Sequence, residues 1–212
     1  MCIRDREFKE LPAGWQWVKI KEVCEINPRR PSLDRNDLTP TTFVPMVAVD
    51  ELTGTITVPN LRPFGEVKKG YTYFEEGDIL FSKITPCMEN GKHTIAHHLI
   101  DGIGFGTTEF HVLRPSKLIC AEWLHFYLRQ PEILHEATIH FTGAVGQQRV
   151  PPKFLADLEI PLPPLHEQHR IAALLTEQLA VVEQARKATK VQLAAINDLP
   201  AALLRHAFTG SI

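Results

Sequence analysis

The four cysteines, at positions 2, 24, 87 and 120, never stand close enough to form a CxxC unit. A zinc ribbon is thereby excluded, and a disulfide framework is not expected; the pattern is that of reduced thiols in the cytoplasm, some buried as small hydrophobes. No apolar run approaches the ~20 residues needed to cross a bilayer. The first ten residues are charged and lack the apolar stretch of a signal peptide, so no membrane association is expected. Positive charge is not in excess either: 23 Lys+Arg against 25 Asp+Glu leave a net charge of −2. That excludes a protein that coats nucleic acid by bulk charge, but not a local DNA-binding face.

Catalytic signatures are also missing. There is no GxxxxGK[ST] phosphate loop, no HExxH pair and no GxSxG elbow. Asn27-Pro28-Arg29 lacks the second proline and the aromatic residue of the amino-methyltransferase motif. Gly102-Ile103-Gly104-Phe105-Gly106 has the glycine spacing of a nucleotide loop, but strand residues follow it instead of a helix, so it reads as a turn or bulge. Cys87, His93, His97 and His98 could in principle bind zinc. On a strand, however, His93 and His97 would sit ~13 Å apart, too far for one metal, and they read as surface and turn histidines. Neither metal nor cofactor is expected. A hydrolase built on Cys87 ranks a distant third among functional readings.

What is present is an ordinary core composition, 44% hydrophobic and 23% charged, punctuated by 16 prolines and 12 glycines that cluster. Residues 1–7 match no later element, and residues 1–10 are expected to be unstructured or non-native; order is expected from Leu11-Pro12-Ala13-Gly14-Trp15-Gln16-Trp17. Short strand candidates follow: Phe43 to Val49, Thr55 to Val58, Ile79 to Ile84 after the Gly77-Asp78 turn, His93 to Ala96 after Asn90-Gly91, and Thr108 to Leu113. Cys120 to Leu134 turns helical, with Pro131 ending that helix or starting another. The expected fold is α+β: a globular domain with a curved, mainly antiparallel sheet and short helices, over residues 1–164, then a long helix.

After Pro164 the composition changes. Leu165 to Ile196 contains neither glycine nor proline, and Ile171, Leu175, Leu179, Val182, Ala185 and Ile196 form an apolar seam close to a 3.5-residue period. A helix of that length, ~48 Å, exceeds what a domain of ~150 residues can cover, so a coiled-coil partner is expected. Asn197-Asp198-Leu199-Pro200 is expected to interrupt it, with a short final helix from Ala201 to Phe208.

Three groups of polar residues concentrate hydrogen-bonding types: Ser82, Lys83, Thr85, Glu89, Asn90 and Lys92; Thr107, Thr108 and Glu109; and Gln147, Gln148 and Arg149. Lys and Arg contact phosphates and guanine edges, Asn and Gln pair with adenine, and Glu accepts from cytosine. Of these, Lys83, Thr85, Glu89, Asn90, Lys92, Thr107, Gln147, Gln148 and Arg149 are the candidate DNA-contacting residues.

The chain resembles the specificity subunits of type I restriction–modification systems. Three stretches carry the likeness: Leu11-Pro12-Ala13-Gly14-Trp15-Gln16-Trp17; the run from Gly70-Tyr71 through Asp78 to Lys92 with Gly106 to Phe110; and Ile160-Pro161-Leu162-Pro163-Pro164-Leu165-His166-Glu167-Gln168, with Ala207-Phe208-Thr209-Gly210 after the helix. Such subunits usually carry two recognition domains, each followed by a helix, and only one set is found here, so the chain resembles a half-size subunit or a fragment of a longer one. The resemblance implies a non-catalytic module that reads one half of a split double-stranded DNA target. It implies a helix that pairs with another and docks methyltransferase subunits, with the restriction subunit as a further partner. For a half-size chain, a homodimer through the C-terminal helix would supply the second half. The competing reading is a non-catalytic adaptor whose helix recruits a partner and whose sheet domain binds something other than DNA.

Overall fold

A computed structural model describes residues 11–144 and 146–209. The expectation for residues 1–10 lies outside the described residues. By its internal contacts the chain divides into two units, one ending at Ala172 and one beginning at Ala173.

In place of a single curved sheet, the first unit has three. Strand β1 (Gln16–Lys19) pairs antiparallel with β10 (Glu159–Leu162), with Val18 opposite Ile160. A four-stranded antiparallel sheet has the order β2 (Cys24–Ile26), β9 (Phe110–Pro115), β6 (Ile79–Ser82), β7 (His93–Ile95). The third has the order β4 (Asn60–Pro63), β3 (Pro40–Val44), β8 (Ile103–Gly106), β5 (Thr72–Glu75), and its β3–β8 pair is parallel. Prolines limit the strands. Pro45 has no N–H to give to a ladder, so the strand expected over Phe43 to Val49 stops at Val44 and Met46–Ala48 turns into a 3₁₀ segment. Thr55 to Val58 contributes only one bridge, Ile56 opposite Val49.

Strand β6 is buried at all four residues and separates two cores. Ile79 and Phe81 face the larger one, with Ile20, Leu113, Leu124, Leu128, Leu155 and Ile160. Leu80, on the other face by the two-residue period of a strand, packs with Val44, Phe74, Phe110 and Val112. Helices α1 (Ile20–Val23), α3 (Ala121–Leu128), α4 (Pro131–Ile139) and α5 (Pro152–Asp157) supply the larger core; α2 (Phe64–Val67) gives Phe64 to a small aromatic cluster with Phe43, Tyr73 and Phe105. Pro131 starts α4, where its missing N–H costs nothing.

The glycine-rich run is a strand and not a loop: Gly102 turns the chain with φ +70°, and Ile103–Gly106 is β8. A Cβ on Gly104 would lie 2.3 Å from Cε2 of Phe74, a side chain with no exposure. Gly104→Ala should therefore overpack this core and cost about 1–3 kcal/mol in urea denaturation.

Helix α6 (Leu165–Phe208) is continuous over 44 residues. The interruption expected at Asn197–Pro200 and the separate terminal helix are not found: Pro200 lies inside α6. Proline removes one rung of the hydrogen-bond ladder, to the carbonyl four residues back, while the Ala- and Leu-rich sequence continues the helix on both sides. Among the described residues no helix is long and apolar enough to cross a membrane.

Candidate nucleic-acid interface

Three polar segments far apart in sequence meet beyond the end of β6. Lys83 N donates to Glu109 O (2.9 Å), Val150 N to Lys83 O (2.9 Å) and Thr85 N to Gln148 O (3.1 Å). Arg149 is bracketed by bridges to Ile84 and Thr142, exchanging 2.9 and 3.0 Å backbone hydrogen bonds with Thr142. Its guanidinium grips Glu109 with two hydrogen bonds, Nε to Oε2 at 2.9 Å and Nη2 to Oε1 at 2.7 Å, and Nη1 donates to Gln147 O at 2.9 Å. That contact holds the Glu109 carboxyl below its ordinary range and raises the guanidinium's proton affinity. Thr107 Oγ1 accepts from Glu109 N (3.3 Å), and the Thr85 hydroxyl donates to Glu89.

The candidate residues thus come together in part. Lys83, Thr85, Glu89, Thr107, Gln147, Gln148 and Arg149 belong to this convergence; Gln147 is exposed and Gln148 half-buried. Asn90 is exposed in the 86–91 turn, its N–H bonded to Pro86 O. Lys92 lies apart from this convergence: its Nζ donates to Val49 O (3.1 Å), next to the loop that carries Asp50.

Sequence reasoning missed a cleft of about 440 Å³ that shares Lys83 with this face. Arg30, Lys68, Tyr71, Tyr73 and Asn27 line it as well. Asn27, the residue passed over in a false methyltransferase motif, builds one wall. It adopts φ +51°, closes on Val112 through N–H to O (2.7 Å) and Oδ1 from N–H (3.0 Å), and turns the chain toward Arg29 and Arg30. Its Nδ2 meets His111 Nδ1 at 3.1 Å, while His111 Nε2 lies 2.9 Å from Val150 O. Those partners match a neutral imidazole protonated on Nε2, and burial lowers its pKa accordingly. Arg30 donates to Lys68 O, and Lys68 Nζ pairs with Asp37 at 2.6 Å. The only available sequence signal was the pair of cationic doublets, Arg29-Arg30 and Lys68-Lys69.

His93 is no surface residue. It has no exposure, stacks on Phe81 at 4.0 Å and accepts from Ser82 N on Nδ1 (3.2 Å). His97 and His98 are exposed, beyond the end of β7. Among the described residues no group of three His, Cys, Asp or Glu side chains is placed to hold a metal. Burial pushes the Cys24 thiol up to about 12, and Cys120 is also buried; Cys87 is half-buried.

At the start of α6, Trp15 Nε1 donates to Glu167 Oε2 (3.2 Å), and Gln168, with no exposure, bonds Cys120 N, Leu118 O and Pro163 O. Beyond Ala172 the helix is exposed or half-buried throughout its described length. Of the expected seam, Ile171 and Leu175 are half-buried, while Leu179, Val182, Ala185 and Ile196 are exposed.

A family model for the type I restriction modification DNA specificity domain matches residues 12–191. The chain belongs to this family. Two relatives from Escherichia coli, the specificity subunits of the type I restriction enzymes EcoAI and EcoEI, are 38% identical over 196 residues and 37% over 201. The matches cover 92% and 94% of this chain but 33% and 34% of those subunits, so the specificity domain here spans about a third of their length. Among solved structures, the HsdS subunit of Thermoanaerobacter tengcongensis superposes with a TM-score of 0.66 at 26% identity, covering 89% of this chain and 47% of that one. A chain from a study of complex assembly and conformational transition in the type I R-M system gives 0.66 at 25%, covering 98% and 49%. The structure explains two of the stretches that carry the family likeness. The Trp15 opening and the Pro-Pro-Leu-His-Glu-Gln join meet through the β1–β10 pair and the Trp15–Glu167 bond, so a specificity domain closes its first and last strands on each other before α6 leaves.

Proposed function

We propose that this chain is the DNA-recognition part of a type I restriction–modification complex, reading one half of a split double-stranded target without catalysis of its own. The observation that carries this reading is the family match across residues 12–191. The convergence of the polar segments around Lys83, Glu109 and Arg149 supports it as well. In this reading the cations of the Arg30–Lys68–Lys83 cleft take backbone phosphates, which position the duplex. The globular domain over residues 1–164 reads the bases, and residues 165–212 form the spacer. Methyltransferase subunits dock on the assembly, the restriction subunit joins it, and the complex works in the cytoplasm on host DNA. The exposed Leu179, Val182 and Ile196, with Leu175 beside them, are apolar surface that a second copy of α6 would cover, giving a homodimer and a two-fold symmetric target.

The test is a gel shift on random-sequence duplexes, using the full chain with and without the methyltransferase subunit of its own system, paired with light scattering. The chain alone should bind weakly and lose affinity steeply with salt, and the complex should bind selectively. Absence of DNA binding in both samples would overturn the reading. A strictly monomeric chain at working concentration would overturn the homodimer alone.

A further inference from the structure

We propose that Arg149 reads a guanine through its O6 and N7 atoms, and that Glu109 is the positioning residue that aims it. This assignment rests on the DNA-recognition reading above. A guanidinium has five N–H groups. Glu109 takes those of Nε and one of Nη2, at 2.9 and 2.7 Å, and Gln147 O takes one of Nη1 at 2.9 Å. Among the described residues, one N–H on each terminal nitrogen has no further acceptor, and two such donors are what bidentate contact with guanine requires.

Three further observations favour a base over a phosphate. The Arg149 side chain keeps 39% of its exposure, so the group is reachable. Its backbone is fixed on both sides, by Ile84 and by Thr142, so the fork is held in place before any ligand arrives. Finally, the Glu109 carboxylate neutralises the pair. A neutralised pair has little long-range pull on phosphate, where net charge dominates, but keeps the direction of its remaining donors, which is what a base edge selects. Lys83, with no ion pair among the described residues, is by the same argument a phosphate contact.

The experiment is selection from a library of randomised duplexes, using the complex of the full chain with its methyltransferase subunit. Wild type should yield a motif containing a G·C pair at which Arg149→Ala, and Arg149→Lys as the milder variant, lose about tenfold or more of the guanine preference, with the other positions kept. Glu109→Gln should weaken the preference at that same pair. Replacing that guanine by 7-deazaguanine, which lacks the N7 acceptor, should weaken wild type and leave Arg149→Ala unchanged, an outcome a purely structural role would not produce. The assignment falls if the motif survives unchanged in Arg149→Ala and Arg149→Lys. It falls equally if Arg149→Ala weakens all duplexes alike and lowers the salt slope by about one, the behaviour of a phosphate contact. A wild-type complex that selects no motif would overturn the DNA-recognition reading itself, and the assignment with it.

Discussion

Gln168→Leu should destabilise the first unit by about 4 kcal/mol, measured by urea denaturation of the full chain. Leucine nearly matches glutamine in volume, so packing changes little and the loss is one of hydrogen bonds. The Gln168 carboxamide has no exposure: Oε1 accepts from Cys120 N at 2.8 Å, and Nε2 donates to Leu118 O at 3.1 Å and Pro163 O at 2.8 Å. Leucine would leave three backbone groups without partners in the interior, at roughly 1–3 kcal/mol each, partly offset by relaxation. The three lie at the N-terminal end of α3, in the turn before it, and between β10 and α6, so one side chain joins the helix start to two other elements. A loss below about 1 kcal/mol would show that these bonds are replaced when the amide goes.

Acidification should have the second large effect. His125 is buried, and desolvation with the nearby Arg129 cation lowers its pKa from 6.5 to about 3. Burial lowers the pKa of His93 as well, helped by His125 and Arg129. A histidine whose folded pKa lies below its unfolded one binds protons more readily when unfolded. Its contribution is complete above about pH 6.5 and is lost as the pH falls toward the folded value. At pH 5 His125 alone removes about 2 kcal/mol, at 1.36 kcal/mol per pH unit, and His93 acts in the same direction. The carboxylates of Asp50, Glu76 and Glu109 are shifted down from 3.8 or 4.5, so their contributions fade only in stronger acid and leave this window to the histidines. Urea midpoints at pH 7.5 and pH 5 should differ accordingly, and His125→Phe should flatten the profile. A wild-type midpoint that does not move between these pH values would refute the prediction.

Neither effect could be read from the chain as a string. His93 reads as a surface histidine at the start of a short strand after Asn90-Gly91, and only the pairing of β7 with β6 puts it against Phe81. Gln168 sits among polar neighbours at the start of a helix, and its burial comes from elements about fifty residues earlier. The polar segments around residues 83, 107 and 148 were recognisable by residue type, but not as one face. Their meeting depends on backbone bonds between Lys83, Glu109 and Val150. Nor could the string show that Lys92 would give an ammonium hydrogen bond to Val49 O, 43 residues away.

What the sequence determined alone was whatever depends on near neighbours. The Ala- and Leu-rich stretch after Pro164 makes a helix because each residue's hydrogen bond lies four positions away, and so strongly that even Pro200 does not end it. The alternation and turn signals placed β6, β7 and β9 within a few residues, and the Pro-Pro-Leu-His-Glu-Gln join marked where sheet gives way to helix. Tertiary structure decided which polar groups became partners, which histidines lost water, and how Arg149 came to lie against Glu109. Those outcomes turn on strand register and burial, set by contacts between residues tens of positions apart, and no local pattern encodes the distance between them.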